Sequence, residues 1–239
     1  MISFAEGQVT KLRREFKRVL EGPEAKGVCT RLSQELGGYL PPPTRIVSVY
    51  FDKEGFPLAE RAVLTPDNCI KVRTKEYSPD VGAAGRERVV LEVKRERSGL
   101  TQKRRVWVPR AELSRALHGG VSLLPLIAGG SLSPVLAVTY RRHVYQVSRT
   151  WRVTVDRDIG FHEVSPELAL APTALTVERL GLPAFEDARV VVEVKHLGAE
   201  LPEWLAALNP GGTTAYSKFA EGMARVHGFA ADGVGAARG

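Results

Sequence analysis

Cysteine is scarce in this chain: its 239 residues include two, Cys29 and Cys69. Their separation matches no metal-ligand spacing, and two alone make no disulfide framework. Aromatic residues are few as well, at 7%. That disfavours a nucleic-acid module, which interleaves stacking rings with exposed basic side chains. His143, His162 and His196 are isolated, and no Ser-His-Asp or Cys-His set is recognisable around them. Each reads as a surface or hydrogen-bonded structural residue. Long apolar runs are missing too. The most apolar stretch, from Val121 to Gly130, contains Pro125 and falls far short of the roughly 20 residues that cross a bilayer. The N-terminal stretch MISFAEGQVTKLRREFK lacks the apolar core of a signal peptide. A cytoplasmic location is the expectation, with any membrane coupling left to a separate protein partner.

What is present is an ordinary globular balance of 44% hydrophobic and 26% charged residues in a chain long enough to bury a real core. The net charge of +7 favours an anionic partner: nucleic acid, acidic lipid or a phosphate-rich small molecule. The basic residues are spread along the chain rather than run together. No shift in composition marks a domain boundary, so one domain over residues 1–229 is expected, with a disordered tail of small residues over 230–239.

Strands dominate. Thr44 to Asp52 is rich in β-branched and aromatic residues, and Cys69 to Lys75, Arg88 to Arg95, Lys103 to Val108, Pro134 to Val147 and Trp151 to Ile159 follow the same pattern. Arg13 to Leu20 reads as strand or helix, and periodicity does not separate the two. Helices are expected from Pro23 to Leu36, around Leu58 to Leu64, from Pro109, over Val121 to Ala128, over Pro202 to Leu208, and from Thr213 to Val226. A loop is expected over Ser78 to Gly85, and 165–185 fits no regular element.

The most informative stretches are VVLEVK, Val89 to Lys94, and its near-echo VVVEVK, Val190 to Lys195. Side chains alternate along a strand, so Glu92 with Lys94, and Glu193 with Lys195, face away from the valines. Charged pairs recur at this spacing: Glu15 and Lys17, Lys71 and Arg73, Lys103 and Arg105. Tyr140 with Arg142, and Arg152 with Asp156, obey the same alternation. A single pair of this kind is most simply the solvated face of a one-sided sheet. Here bases outnumber acids on these faces, and several opposite faces are nearly pure Val, Leu and Ile and must be covered. Converging faces would line a closed antiparallel barrel with a basic lumen.

The ordered set RREFK, SVYFD, KVR, LEVK, KRR, YRR, WRVTVD, VEVK and SKF resembles the VTC domain. That is the polyphosphate polymerase domain of the vacuolar transporter chaperone family, in the triphosphate tunnel metalloenzyme (CYTH-like) superfamily. The likeness runs from about Lys11 to Met223. It implies an α+β fold: an antiparallel β-barrel tunnel, helices packed outside and a C-terminal capping helix. It implies Mn²⁺ or Mg²⁺ as cofactor, and ATP and inorganic polyphosphate as partners. Carried over by motif, Lys71, Arg73, Arg142, Arg152 and Lys195 would be catalytic. Lys17, Lys94, Lys103, Arg105, Tyr140, Ser217 and Lys218 would bind substrate, and Glu193, with Glu15, would hold the metal. In the first strand the superfamily pattern Glu-x-Glu-x-Lys is here Arg13-Arg14-Glu15-Phe16-Lys17, which resembles the VTC branch and leaves fewer carboxylates for two-metal hydrolysis. Whether Glu15 binds metal or pairs with a lumen arginine stays open, and Asp156 reads as a salt-bridge partner. Tyr140 reads as a phosphate contact rather than packing, and Ser217 as either a cap or a solvent-facing helical residue.

The resulting expectation is a transferase that moves the ATP γ-phosphate onto a growing polyphosphate. A tripolyphosphatase or nucleoside triphosphatase is the enzymatic alternative. A non-catalytic polyphosphate or phosphoinositide sensor is the alternative from another class. Nucleic acid ranks last.

Overall fold

The two Glu-Val-Lys stretches form strands that stand far apart in a single antiparallel sheet. The computed structural model describes residues 14–79, 88–98, 100–120, 131–197, 200–209 and 216–229. In chain order the elements are β1 (Arg14–Leu20), α1 (Gly22–Glu35), β2 (Thr44–Asp52), α2 (Pro57–Leu64), β3 (Ile70–Pro79), β4 (Arg88–Arg97) and β5 (Leu100–Pro109). A 3-10 turn over Arg110–Glu112 leads into α3 (Leu113–Arg115) and a π turn over Ala116–Gly120. Then come β6 (Ser133–Tyr145), β7 (Trp151–His162), α4 (Pro166–Ala169), α5 (Val177–Leu180), β8 (Phe185–Asp187), β9 (Val190–His196), α6 (Glu203–Ala206) and α7 (Lys218–His227).

The ladder runs β1-β9-β7-β6-β2-β3-β4-β5, with β8 paired to β7. The antiparallel tunnel sheet expected from the sequence is therefore present, but its curl stops short of a hydrogen-bonded ring. Among the described residues β1 and β5 remain edge strands, and the sheet is a half-barrel. A bulge between Thr139 and Arg141 and the left-handed Asp158, φ 52°, sharpen the twist where β6 meets β7.

Several boundaries differ from the sequence expectation. RREFKRVL satisfies both periods, since Phe16 and Leu20 would share a face in a helix or a strand. The tie is broken by β9, which pairs with β1 from Arg14↔His196 to Leu20↔Val190. Ser78 and Pro79 continue β3 instead of opening a loop, because β2 pairs with them through Arg45 and Thr44. Pro109 closes β5 rather than starting a helix. The irregular stretch after Ser165 holds α4 and α5, each four residues long. The helix expected over Val121 to Ala128 and the tail over 230–239 lie outside the described residues.

The convex face is apolar and covered. On β1, β9 and β7 the outward residues Phe16, Leu20, Val153, Val155, Val190, Val192 and Val194 pack with Ala25, Val28 and Leu32 of α1 and Leu205 of α6. Under α2, Asp52 takes three backbone N–H donors, Lys53 at 2.7 Å, Leu58 at 3.0 Å and Ala59 at 2.7 Å. A single carboxylate thus satisfies donors that the start of a helix leaves open.

Helix α7 sits on the concave side. Phe219 stacks on Tyr50 with ring centroids 4.7 Å apart, and both Phe219 and Met223 are fully buried. This approach depends on Gly222. A Cβ there would lie 2.5 Å from Leu136 Cδ2 and 2.6 Å from Phe161 Cδ1. Gly222→Ala should therefore lower stability by about 1–3 kcal/mol through overpacking, although alanine is the better helix former by about 1 kcal/mol. Chemical denaturation checks this; a gain in stability would show that helix propensity outweighs the close approach.

Candidate active site

The concave face of β3, β4 and β5 is built in tiers, because cross-strand partners align and side chains two apart share a face. The first tier is Lys71, Lys94 and Lys103, the second Arg73, Glu92 and Arg105, and the third Lys75, Val90 and Trp107. Successive tiers are about 6.7 Å apart along each strand. The opposite wall carries Glu15, Lys195 and Arg152 in one register, and Lys17, Glu193 and Thr154 in the next. Asp156 of β7 lies beside Arg142 of β6.

Glu92 organises the middle tier. It is fully buried and accepts from Arg73 Nε at 2.8 Å and Arg105 Nε at 2.6 Å. Lys103 lies 3.4 Å away and Lys75 3.8 Å. Burial works against its charge, but the arginine and lysine neighbours outweigh burial and hold the carboxyl far below the usual range. Arg73 also donates to the Tyr50 hydroxyl at 2.9 Å.

Asp156 is the second organiser. It takes Arg142 in a bidentate grip at 2.6 and 2.7 Å and Lys218 at 2.6 Å. Burial again opposes the charge, and Lys218 and Arg142 overcome it. The salt-bridge role read from the sequence is the one observed. Tyr140 lies against these cations, 5.2 Å from the Arg142 guanidinium and 4.7 Å from the Lys218 ammonium. Burial pushes its phenol up to about 12, so it stays protonated.

The start of α7 closes over this arrangement. The helix begins at Lys218, later than the expected Thr213, and Ser217 is its N-cap. Ser217 Oγ accepts from Ala220 N at 3.4 Å and from Lys71 Nζ at 2.9 Å. Ser217 and Lys218 therefore tie β3 to β7 across the lumen, and Ser217 is not a solvent-facing helical residue.

On the far wall, Lys195 Nζ bonds Glu15 Oε2 at 2.8 Å and Glu193 Oε1. Lys17 lies 3.7 Å from Glu15. Burial raises the Glu15 carboxyl, yet Lys195 and Lys17 bring it to about 2. Glu15 thus pairs with lysines rather than the lumen arginine considered from the sequence. Burial brings Lys17, Lys71, Lys103 and Lys195 each down to about 8. Lys94 adds repulsion to Lys17, Lys71 and Lys103.

Every candidate residue named from the sequence on β1, β3, β4, β5, β6, β7 and β9 shares this concave face, and Ser217 and Lys218 meet it from α7. Three participants were given no role from the sequence. Glu92, Lys75 and Tyr50 belong to the same network. The spacing that singled out Glu193 applies equally to Glu92, and Lys75 continues the alternation of Lys71 and Arg73. Tyr50 carried no such signal.

The sequence matches the VTC domain family over residues 8–227. No curated protein matches it. Among solved structures, a candidate adenylate cyclase of Bacillus halodurans is similar with a TM-score of 0.51 and 12% identity, covering 87% of this chain and 97% of that one. A Hippeastrum protein described as an adenylyl cyclase candidate with dominant triphosphatase activity gives 0.49 at 14%, over 91% and 96%. A Pyrococcus horikoshii protein gives 0.46 at 13%, over 90% and 98%. The likeness to the Bacillus halodurans protein is one of fold: a curled antiparallel sheet with helices packed on it.

Two outcomes follow from the charge network. Glu92→Gln keeps the shape but leaves four cations without their shared counter-charge. It should cost about 2–3 kcal/mol, toward the low end for a broken buried pair because Arg105 and Lys103 reach solvent. Tripolyphosphate should then raise the Tm of the variant by more than it raises that of the wild type; an equal rise would separate Glu92 from the anion site. For pH, the lysines near 8 lose charge as pH rises through that value, while a bound polyanion holds their protons. Affinity for tripolyphosphate should fall at least about tenfold between about pH 7 and 9.5. A flat calorimetric profile over that window would contradict it.

Proposed function

The chain belongs to the VTC domain family, and from that premise we propose that it transfers the γ-phosphate of ATP to the end of a growing polyphosphate chain. The observation that carries this reading is the lumen's combination of dense cations with carboxylates already spent on them. Phosphoryl transfer needs positioning and charge stabilisation more than covalent chemistry. Arginines 73 and 142 are fixed as forks by Glu92 and Asp156 and supply oriented contacts. Lysines 17, 71, 94, 103 and 195 supply compact charges along the chain path.

The acceptor favours transfer over hydrolysis. A terminal phosphate oxygen is already anionic. It would attack the γ-phosphorus while the bond to the β–γ bridging oxygen breaks and ADP leaves, with no protein base required. Water would need activation by a base or by a metal ion. The strand histidines His143, His162 and His196 alternate away from the lumen face. His118 and His227 are held by the carbonyls of Ser114 and Val135. Glu15, Glu92 and Asp156 are too acidic to serve as bases.

A divalent ion fits the residues at one point. Glu15 and Glu193 already converge on one cation, the Lys195 ammonium. A hard ion such as Mg²⁺ or Mn²⁺ needs one or two carboxylates, with phosphate oxygens and waters completing its shell. Among the described residues no group of three metal-ligating side chains forms a protein cage, which is consistent with an ion brought in with phosphate. Such an ion, held by Glu193 and Glu15, would neutralise charge that builds during transfer. In our reading Glu193 is its main ligand, Glu15 assists, and Lys195 moves onto phosphate.

Purified protein incubated with ATP and Mn²⁺ should yield a ladder of long chains on a polyphosphate gel, and Glu193→Ala should abolish it. Free phosphate without chains would replace transfer by hydrolysis. Tight ATP or polyphosphate binding without turnover would make the lumen a sensor.

A further inference from the structure

The tiers on β3, β4 and β5 change chemistry along the lumen. Lysine occupies the first, arginine and its carboxylate the second, and the third ends in Trp107, with Tyr77 one step further along β3. Trp107 continues the alternation Lys103, Arg105, Trp107 on β5, and Tyr77 continues Arg73, Lys75, Tyr77 on β3. Both are strongly exposed, Trp107 at 53% and Tyr77 at 42%. Between their strands lies Val90 of β4, which pairs with Trp107 on one side and Lys75 on the other and is buried. Each ring thus leaves about half of its surface open to water on the wall of a charged cavity. Other aromatics on this face are enclosed: Tyr50 and Tyr140 are 3% and 4% exposed.

We propose that Trp107 and Tyr77 form the nucleoside subsite, taking the base of a nucleoside triphosphate whose phosphates lie on the arginine and lysine tiers. The proposal rests on the reading of the lumen as an ATP site and gives that site a direction. Trp107 stands one two-residue step, about 6.7 Å, beyond Arg105, and Tyr77 one such step beyond Lys75. A triphosphate with its α-end at Arg73 and Arg105 would present its sugar and base to these rings. Its γ-end would point to Lys71, Lys94 and Lys103. The polyphosphate chain then occupies the lysine side, where compact point charges set no fixed geometry and allow sliding. The nucleoside occupies the arginine and aromatic side, where forks and ring faces hold one orientation. Stacking accepts any base, so the subsite separates nucleotides from inorganic triphosphate and not adenine from guanine. Neither Trp107 nor Tyr77 has a part in the phosphate contacts above.

Calorimetric titration of the full chain with ATP, GTP and inorganic tripolyphosphate tests this. Trp107→Ala should weaken ATP and GTP about tenfold, a typical loss for one base–aromatic stack. Tripolyphosphate should stay within about twofold. Trp107→Phe should restore most of the nucleotide affinity, and Tyr77→Ala should weaken the nucleotides in the same selective way. Equal loss for tripolyphosphate would mean that Trp107 only shapes the lumen and would overturn the subsite. So would unchanged ATP affinity in both alanine variants alongside normal tripolyphosphate binding. Failure of wild-type protein to bind either ligand would overturn the functional reading and the subsite with it.

Discussion

Repulsion among cations is the constraint on which this lumen depends. Two unit charges 4 Å apart at the edge of a protein interact by about 4 kcal/mol. Arg73, Lys75, Lys103 and Arg105 crowd around one point, and without a counter-charge their repulsion would oppose the curl of β3, β4 and β5. Glu92 supplies that charge to all four. Asp156 does the same for Arg142 and Lys218 on the other side, and in doing so it fixes the start of α7. The sheet can be both strongly basic and tightly curved because two buried carboxylates sit among its cations.

Compensation is uneven, and the unevenness has a functional sense. The arginines that lean on Glu92 and Asp156 have their geometry set before any ligand arrives. The lysine tier is poorer in partners: Lys94 pairs with Glu96, and Lys71 bonds a serine hydroxyl. Burial accordingly presses Lys71 and Lys103 toward neutrality, and an incoming polyanion would relieve that pressure. Preorganised forks and under-compensated point charges divide orientation from attraction within one cavity.

Much of this was legible from alternation alone. The i, i+2 pairs located the lumen face on β1, β3, β4, β5, β6, β7 and β9, since a strand of period two cannot place Lys71 and Arg73 on different walls. The covered convex face followed from the valines between them. The limits of α7 were not legible. Ser217 stops the helix by capping it, and its partner Lys71 lies 146 residues away in sequence. The open edge between β1 and β5 also has no local signature, because ladder closure depends on the total curl of the sheet. Trp107 and Tyr77 were hidden by low aromatic content, which describes the chain and not the one face where the rings gather.

The two Glu-Val-Lys strands show where sequence pattern ends and register begins. Glu92 and Glu193 occupy equivalent places in near-identical hexapeptides. Glu92 faces Arg73 on β3 and Arg105 on β5, so both neighbours are forks and its lone pairs are consumed. Glu193 faces Lys17 on β1 and Thr154 on β7, and its ion pair is with Lys195 two residues along its own strand. A lysine reaching along the strand is more readily redirected than two arginines locked across it. Cross-strand partners thus make one glutamate the shared counter-charge of two arginines and leave the other paired along its own strand.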